Sequence, residues 1–136
     1  MDLLVSDTDM SSKGVWRMQV ALPEVIGQYL VLARSPNPED AERIAACFSE
    51  SAEITDEGQT RRGRDAIRQW WQGPATKYQY SVEVRDGHEL GHGRYVVFTR
   101  LVGDFPGGVA DLANRFTLSK GLISQLDIVS ADPGDA

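Results

Sequence analysis

The chain has 136 residues, of which 41% are hydrophobic and 25% charged, and its net charge is −6 at pH 7. This length and composition predict one globular domain with its own core, and the acidic balance argues against nucleic-acid binding. The single cysteine, Cys47, excludes an internal disulfide framework and a thiolate metal site. No apolar run approaches membrane-spanning length, and the acidic start MDLLVSDTDM lacks the features of a signal peptide. We therefore expect a cytoplasmic protein without nucleic-acid or membrane partners.

The pattern of the sequence predicts three sections of chain. Residues 1–20 are polar and rich in turn formers without periodicity, which is typical of a flexible extension. Residues 21–131 hold the periodic segments of a domain, and residues 132–136 form a short C-terminal tail. Trp16 and Met18, near the end of the extension, are apolar enough to dock against the domain or against a second subunit.

The first two periodic segments predict helices. Proline stands at the favoured first position in Leu22–Pro23, and apolar residues then recur at helical spacing until Pro36 ends the helix. Asn37–Pro38–Glu39–Asp40 predicts a second start, because asparagine is a good N-cap and acidic residues suit the first turn. Cys47 on this helix is expected to be a small buried side chain rather than a nucleophile. The apolar stripe of the second helix is Ala41, Ile44, Ala45 and Phe48.

The stretch from Ala52 to Trp71 predicts a strand, a tight return, a short strand and a third helix. Asp56 ends the first strand, where a polar side chain can face a cavity. The helix carries Ile67, Trp70 and Trp71, whose i, i+3, i+4 spacing gives one apolar face. Trp70 is expected to anchor the core, and Trp71 is expected to be half exposed beside it.

The second half of the chain predicts strands, because from residue 76 onward the apolar period changes from helical to two. Segments 94–105, 109–118 and 122–129 continue the pattern. We place a hairpin at Gly91–His92–Gly93 and a bulge or bend at Asp86–Gly87. Helices first and an antiparallel meander last predict an α+β domain. The expected core residues are Ile44, Phe48, Ile67, Trp70, Val97, Phe116 and Leu126.

The central stretch carries a recognisable motif, F-x-E/D-x-A-x-[VI]-x-D followed by G-R-x-A-I-R-x-[WF]. Its residues here are Phe48, Glu50, Ala52, Ile54, Asp56, Gly63, Arg64, Ala66, Ile67, Arg68 and Trp70. This motif resembles the nuclear transport factor 2-like superfamily, in its SnoaL-like and ketosteroid-isomerase-like branches, over about Pro23 to Ile128. The resemblance implies three helices packed on a strongly curved antiparallel sheet, a cystatin-like α+β cone with an apolar cavity and no cofactor.

The resemblance also implies roles for residues of the cone. The general-base aspartate of ketosteroid isomerases matches Asp56, and the tyrosine that holds the substrate oxygen matches Tyr29 on the first helix. Their third group, a protonated acid, falls at Leu112, so that acid is missing here. Asp111 is adjacent but belongs to the opposite face of its strand. Asn114, on the face of Leu112, can supply an amide donor to a developing enolate.

These matches leave two classes of function open. The first is a cofactor-free isomerase, cyclase or lyase that uses Asp56 and Tyr29 on a small, mostly apolar carbonyl compound. The missing acid keeps a second class open, a non-catalytic ligand-binding or dimerisation module of the same fold. Apolar residues on both faces of 95–101 predict a homodimer across the sheet. The side chains expected to line the ligand site are Asn114, Trp70, Phe116 and Leu112.

Each candidate also has a purely structural interpretation. Asp56 before a turn can bond its own backbone, and Tyr29 can be a core aromatic whose hydroxyl finds one partner. His88 and His92 lack the spacing of a metal site and are expected in a solvated, glycine-rich turn. A solvated, ion-paired face is expected for the basic cluster, with phosphate binding as the lesser alternative. That cluster consists of Arg61, Arg62, Arg64 and Arg68.

Overall fold

Three helices and six strands make up the part of the chain that the structure, a computed structural model, describes, which is residues 22–131. The predicted extension and C-terminal tail lie outside the described residues. The helices are α1 (Glu24–Arg34), α2 (Ala41–Ala46) and α3 (Arg64–Gln72). The strands are β1 (Phe48–Asp56), β2 (Gln59–Arg62), β3 (Tyr80–Gly91), β4 (Arg94–Gly103), β5 (Val109–Ser119) and β6 (Leu122–Ser130).

All six strands form one sheet in the order β2-β1-β6-β5-β4-β3. The meander from β3 to β6 is antiparallel, as predicted, but β1 and β6 pair in parallel. The sheet is therefore mixed, because the meander ends with β6 beside β1 and the two strands run in the same direction. Register shifts interrupt several pairings, including one at Val84/Asp86 where a bulge or bend was predicted. Such bulges bend their strands, and the sheet is curved and does not close.

The helices pack on one face of this sheet, and the core lies between them. The core cluster joins residues of all three helices to inward-facing residues of β1, β4, β5 and β6. Each of the seven predicted core residues is buried, with an exposed fraction of 2% or less. Since strand side chains alternate between faces, this buried set defines the inner face of the sheet and leaves the other face outward.

Local sequence signals explain where the elements begin and turn. The Asn37 side-chain oxygen accepts a hydrogen bond from the Glu39 backbone N–H at 2.9 Å, which confirms the predicted cap. A short 3₁₀ turn follows at Pro38–Asp40 before α2. The β3–β4 hairpin turns at the predicted glycine-rich site, where His92 has a φ of 57°.

Two predictions about residues of the helices are wrong. Phe48 does not lie on the second helix, because α2 ends at Ala46 and Phe48 begins β1. The Ile123 backbone N–H donates to the Cys47 carbonyl at 2.9 Å, so from Cys47 onward the backbone bonds to β6 instead of continuing the helix. Trp71 is not half exposed: it is 1% exposed, and its indole N–H donates to the Asn37 carbonyl at 2.6 Å.

The outward face of the sheet carries a short apolar row between charged neighbours. Phe98, Ala113 and Val129 lie side by side on β4, β5 and β6. On one side of this row, Arg100 binds Asp111 through two bonds of 2.7 and 2.9 Å. Within residues 22–131, no helix is long and apolar enough to cross a membrane.

Candidate functional site

Asp56 reaches the inner face because it is the last residue of β1. Ile54, two residues earlier, is buried in the core opposite Leu126, and Asp56 lies opposite Ile128 on the same parallel strand pair. Side chains two residues apart on a strand share a face, so the Asp56 carboxylate lies on the side where the helices pack. It is half buried.

Trp70 holds this carboxylate. Its indole N–H donates to Asp56 Oδ2 at 3.0 Å, and Trp70 itself is only 2% exposed. The contact follows from the apolar face of α3, since Ile67 and Trp71 bury the helix and turn Trp70 toward the sheet. The sequence predicted Trp70 as a core anchor and a ligand-lining residue but did not predict its bond to Asp56.

The environment of Asp56 opposes its charge. Burial raises the pKa of the Asp56 carboxyl, as expected for an inward-facing group. The hydrogen bond from Trp70, the charge of Arg61 and a hydrogen bond from the Glu57 backbone lower the pKa, while the Glu57 carboxylate raises it. Asp56 has no ion pair with the nearby arginines, because Arg61 binds Gln59 at 2.8 Å and Arg62 lies 3.4 Å from Glu53.

Two tyrosines lie within range of the Asp56 charge. Tyr29 on α1 is 4% exposed and meets Phe48 and Phe116 edge to face, with ring centroids 6.0 and 5.7 Å apart. Burial raises the pKa of Tyr29 well above its usual value, and the charge of Asp56 adds to this rise. Burial and Asp56 also raise the pKa of Tyr80 to about 12. Both hydroxyls are therefore protonated at neutral pH.

Tyr80 is a neighbour of the site that sequence reasoning missed. It begins β3, and the same alternation that turns Val82 and Val84 inward also turns Tyr80 inward. That alternation was the signal that could have found it. Its hydroxyl donates to the Ala75 carbonyl at 2.5 Å, so its proton already takes part in a hydrogen bond with the backbone.

Asn114 lies on the predicted face but is engaged within the sheet. It is 6% exposed, and its amide nitrogen lies 3.0 Å from the Val97 carbonyl and 3.0 Å from Thr99 Oγ1. Because the carbonyl can only accept, the nitrogen must face it, and both amide hydrogens are then used. The expected enolate donor is thus occupied, and only the Asn114 side-chain oxygen remains for another group.

The neighbours of Asn114 on β5 follow the alternation of the strand. Phe116 is buried in the core, and Leu112 is half buried on the same inner face without an acidic group. Asp111 faces outward, as predicted, where Arg100 holds the pKa of its carboxyl below the usual range. An acid shifted by one residue therefore does not replace the missing one.

The described residues line surface cavities at two places. One of about 340 Å³ lies between α1 and α2, and one of about 470 Å³ lies at the start of α3. Neither is lined by Asp56 or Tyr29. The Tyr29 ring packs edge to face against Phe48 and Phe116, and the Asp56 carboxylate is half buried.

The remaining sequence candidates have structural partners. His88 lies in strand β3 rather than in a turn, and its Nε2 is 3.1 Å from Asp86 Oδ2. Among residues 22–131, no group of three or more histidine, cysteine or acidic side chains is arranged to hold a metal ion. Arg68 binds Glu42 at 2.9 Å and Asp65 at 2.5 Å, which is consistent with an ion-paired face. Cys47 is buried, and burial raises the pKa of its thiol.

The sequence and fold are similar to those of known proteins. Residues 33–126 match the family described as the SnoaL-like domain. A candidate polyketide cyclase from Sinorhizobium meliloti is 27% identical and superposes with a TM-score of 0.71, over 79% of this chain and 95% of that one. No curated protein matches the chain.

Two more distant solved structures share the fold. A protein with a ketosteroid isomerase-like fold from Catenulispora acidiphila, in complex with trimethylamine, is 16% identical with a TM-score of 0.68, over 80% of this chain and 86% of that one. A cystatin-fold protein from Novosphingobium aromaticivorans is 12% identical with a TM-score of 0.63, over 78% of this chain and 95% of that one. These similarities confirm the fold that the sequence motif implied.

Proposed function

The chain belongs to the SnoaL-like family, and from this premise we propose that its domain is a cofactor-free acid/base enzyme acting on a small, mostly apolar carbonyl compound. The observation that supports this most strongly is the Asp56 carboxylate, half buried on the inner face and held by Trp70 at 3.0 Å. This carboxylate accepts a hydrogen bond from the Glu57 backbone, as a turn aspartate does, but it is also bound by Trp70 on the inner face and has two protonated tyrosines nearby.

The proposed reaction begins with proton abstraction. Asp56 takes a proton from the carbon next to the substrate carbonyl, and the electron pair of that C–H bond forms an enolate. The Tyr29 hydroxyl donates a hydrogen bond to the enolate oxygen, which its raised pKa allows because it stays protonated. Asp56 then returns the proton to a second carbon, which isomerises the substrate. Alternatively, the enolate carbon attacks a second carbonyl and closes a ring, the C=O π bond breaks to an alkoxide, and that oxygen takes the proton back from Asp56.

The number of hydrogen-bond donors to the enolate oxygen narrows the class of substrate. Asn114 has no free amide hydrogen, and Leu112 has no acid, so Tyr29 is the one donor in this proposal. Losing a preorganised donor typically costs about 10²- to 10³-fold in rate. A substrate with an acidic C–H bond compensates for that loss, because its enolate carries a delocalised charge. We therefore propose 1,3-dicarbonyl compounds rather than simple ketones.

Exchange of substrate protons for deuterium tests the proposal without knowledge of the product. A panel of small apolar 1,3-dicarbonyl compounds is followed by NMR in D₂O with the wild-type chain, Asp56→Asn and Glu57→Gln. The wild type and Glu57→Gln, whose change is at the neighbouring exposed acid, should accelerate exchange. Asp56→Asn should lose about 10²-fold or more of that acceleration and keep its circular dichroism spectrum. Equal exchange with Asp56→Asn, or none with the wild type, contradicts the enzyme proposal.

A non-catalytic ligand-binding module is the second candidate. It is favoured by the occupied amide of Asn114 and by the missing acid at Leu112. The two candidates differ in one observable. A binding module would show ligand-dependent shifts of the Trp70 and Tyr29 resonances with no acceleration of proton exchange, whereas the enzyme shows both.

We further propose that the chain is a cytoplasmic homodimer joined through the outward face of the sheet. The apolar row of Phe98, Ala113 and Val129 supports this, because Val129 is 37% exposed and Phe98 is half buried on the same face. Cell fractionation tests the location, and the oligomeric state is tested by the substitution at Val129 described in the Discussion.

A further inference from the structure

Two consecutive tryptophans of α3 donate their indole N–H groups to different partners. Trp70 donates to Asp56 Oδ2 at 3.0 Å, and Trp71 donates to the backbone carbonyl of Asn37 at 2.6 Å. Both side chains are almost fully buried, with exposed fractions of 2% and 1%. Consecutive side chains on a helix point about 100° apart. One tryptophan therefore contacts the candidate base, while the next fastens the helix to the turn before α2.

We propose that Trp70 is a positioning residue for Asp56, whose indole N–H occupies Oδ2 and leaves Oδ1 as the oxygen that receives the substrate proton. This inference rests on the proposed function of Asp56. An indole nitrogen can donate a hydrogen bond but cannot accept one. A proton on Oδ2 would compete with the indole hydrogen for the same oxygen, so the proton taken from the substrate is directed to Oδ1.

The surroundings of Trp70 are rigid enough for this role. Its ring packs against Trp71 with centroids 5.9 Å apart and an angle of 58° between the planes. The start of α3 is tied to β1 by Arg64, whose Nε donates to the Phe48 carbonyl at 2.9 Å. A donor fixed on a packed helix holds a carboxylate at the end of a strand more precisely than a loop side chain would.

The bond also adjusts the acidity of Asp56. Burial raises the pKa of the carboxyl, and the bond from Trp70 acts in the opposite direction because it stabilises the charged form. Trp70 thus keeps more of Asp56 ionised, and so able to act as a base, than burial alone would allow. A merely structural tryptophan would not change the ionisation of Asp56.

The wild-type chain provides a test that needs no substitution at Trp70. The indole N–H resonances are followed by ¹⁵N-correlated NMR while the pH is varied, and the Asp56 carboxyl carbon is followed in the same samples. The Trp70 indole resonance should titrate with the midpoint of Asp56, whereas that of Trp71, which faces a backbone carbonyl, should not. A Trp70 resonance that does not follow Asp56 overturns the proposal.

Two matched variants provide the second test. Trp70→Phe and Trp71→Phe each remove one buried indole donor from the same helix, and circular dichroism verifies that each is folded. Trp70→Phe should raise the pKa of Asp56, move the acid limb of the proton-exchange rate to higher pH and slow exchange on the order of tenfold. Trp71→Phe should leave the pKa of Asp56 unchanged. Equal pKa values in the two variants overturn the proposal.

The outcome separates this inference from the proposed function. If the wild type shows no proton exchange but the pKa of Asp56 still rises in Trp70→Phe alone, the enzyme proposal fails. The positioning of Asp56 by Trp70 then stands as a property of a binding site. If exchange depends on Asp56 but not on Trp70, the enzyme proposal stands and the positioning role is wrong.

Discussion

Asp56 illustrates, at the scale of one residue, how this fold holds a carboxylate that it does not neutralise. Burial disfavours the charge, and no arginine within residues 22–131 forms an ion pair with the group. The Trp70 indole N–H, the Glu57 backbone and the charge of Arg61 provide partial compensation. By contrast, Asp111 on the outward face is bound by Arg100 through two hydrogen bonds. The two aspartates should therefore affect the stability of the fold with opposite signs.

Asp56→Asn should stabilise the folded chain at neutral pH. The folded pKa of Asp56 lies above its unfolded value, so ionisation costs stability at every pH above the folded pKa. That cost disappears as the pH falls through the folded pKa toward the ordinary value of 3.8. The difference in free energy of unfolding between the variant and the wild type, measured with urea, should therefore shrink over that interval. A variant less stable than the wild type at neutral pH would contradict this reasoning.

Asp111→Asn should behave in the opposite way and serves as the control. Arg100 lowers the folded pKa of Asp111, so the ion pair stabilises the fold above the unfolded pKa and is lost as the pH falls through the folded one. The variant should be less stable than the wild type at neutral pH. Measured with urea, the free energies of unfolding of the wild type and Asp111→Asn should converge at acidic pH. Added salt should also reduce the difference between them.

Gly27→Ala and Gly103→Ala should change stability in opposite directions. A Cβ at Gly27 within α1 meets nothing within 4 Å, so alanine should stabilise the fold by about 0.5–1 kcal/mol. A Cβ at Gly103 would overlap the Gln79 carbonyl oxygen and the Tyr80 Cβ, and backbone must shift to admit it. That variant should lose about 1–3 kcal/mol, which thermal unfolding of both variants can measure. Equal melting temperatures would show that the β3–β4 contact is looser than described.

At the scale of elements, helix α3 shows what the sequence could and could not predict. The spacing of Ile67, Trp70 and Trp71 correctly predicted a helix with one buried face, because periodicity reports which side is apolar. It could not show that both indole N–H groups find partners far away in the chain, 14 and 34 residues distant. Those partners depend on how α3 docks, which is a tertiary property.

The strands show the same division between local and long-range information. Alternation correctly separated Asp111 from Leu112, and the turn signal Asp86–Gly87 located the bend before the hairpin. It did not predict that β6 pairs in parallel with β1, since that pairing joins segments about seventy residues apart in the sequence. Nor could it show that the amide of Asn114 is occupied by the carbonyl of its neighbour on β4.

Asn37→Ala tests the cap of the 3₁₀ turn Pro38–Asp40, which leads into α2. Its side-chain oxygen accepts the Glu39 backbone N–H at 2.9 Å, and alanine leaves that donor without its partner. The loss should be about 1 kcal/mol in the free energy of unfolding, whereas Asn37→Asp, which keeps an acceptor, should lose less. The Asn37 carbonyl that binds Trp71 is unchanged in both variants, so the comparison isolates the cap.

At the scale of the whole molecule, Val129→Asp tests the proposed homodimer. Val129 is 37% exposed on the outward face, and a charge there should prevent two sheets from packing together. Val31→Asp is the matched control, because Val31 is 65% exposed on α1, away from the sheet. Light scattering at micromolar concentration should give a dimer for the wild type and Val31→Asp, and a monomer for Val129→Asp. A monomeric wild type would remove the dimer from the proposal.

The position of β6 has a consequence for how the protein is made. This strand is the last in the chain among the described residues, yet it lies between β1 and β5 and joins the β1–β2 pair to the meander. The ribosome synthesises the chain from its N-terminus. The edge of β1 that pairs with β6 therefore stays unpaired until almost all of the remaining domain has been synthesised. Until then, β1 is an unpaired edge that can recruit another strand. Chaperone binding to nascent chains should therefore end only after Ser130 has left the exit tunnel.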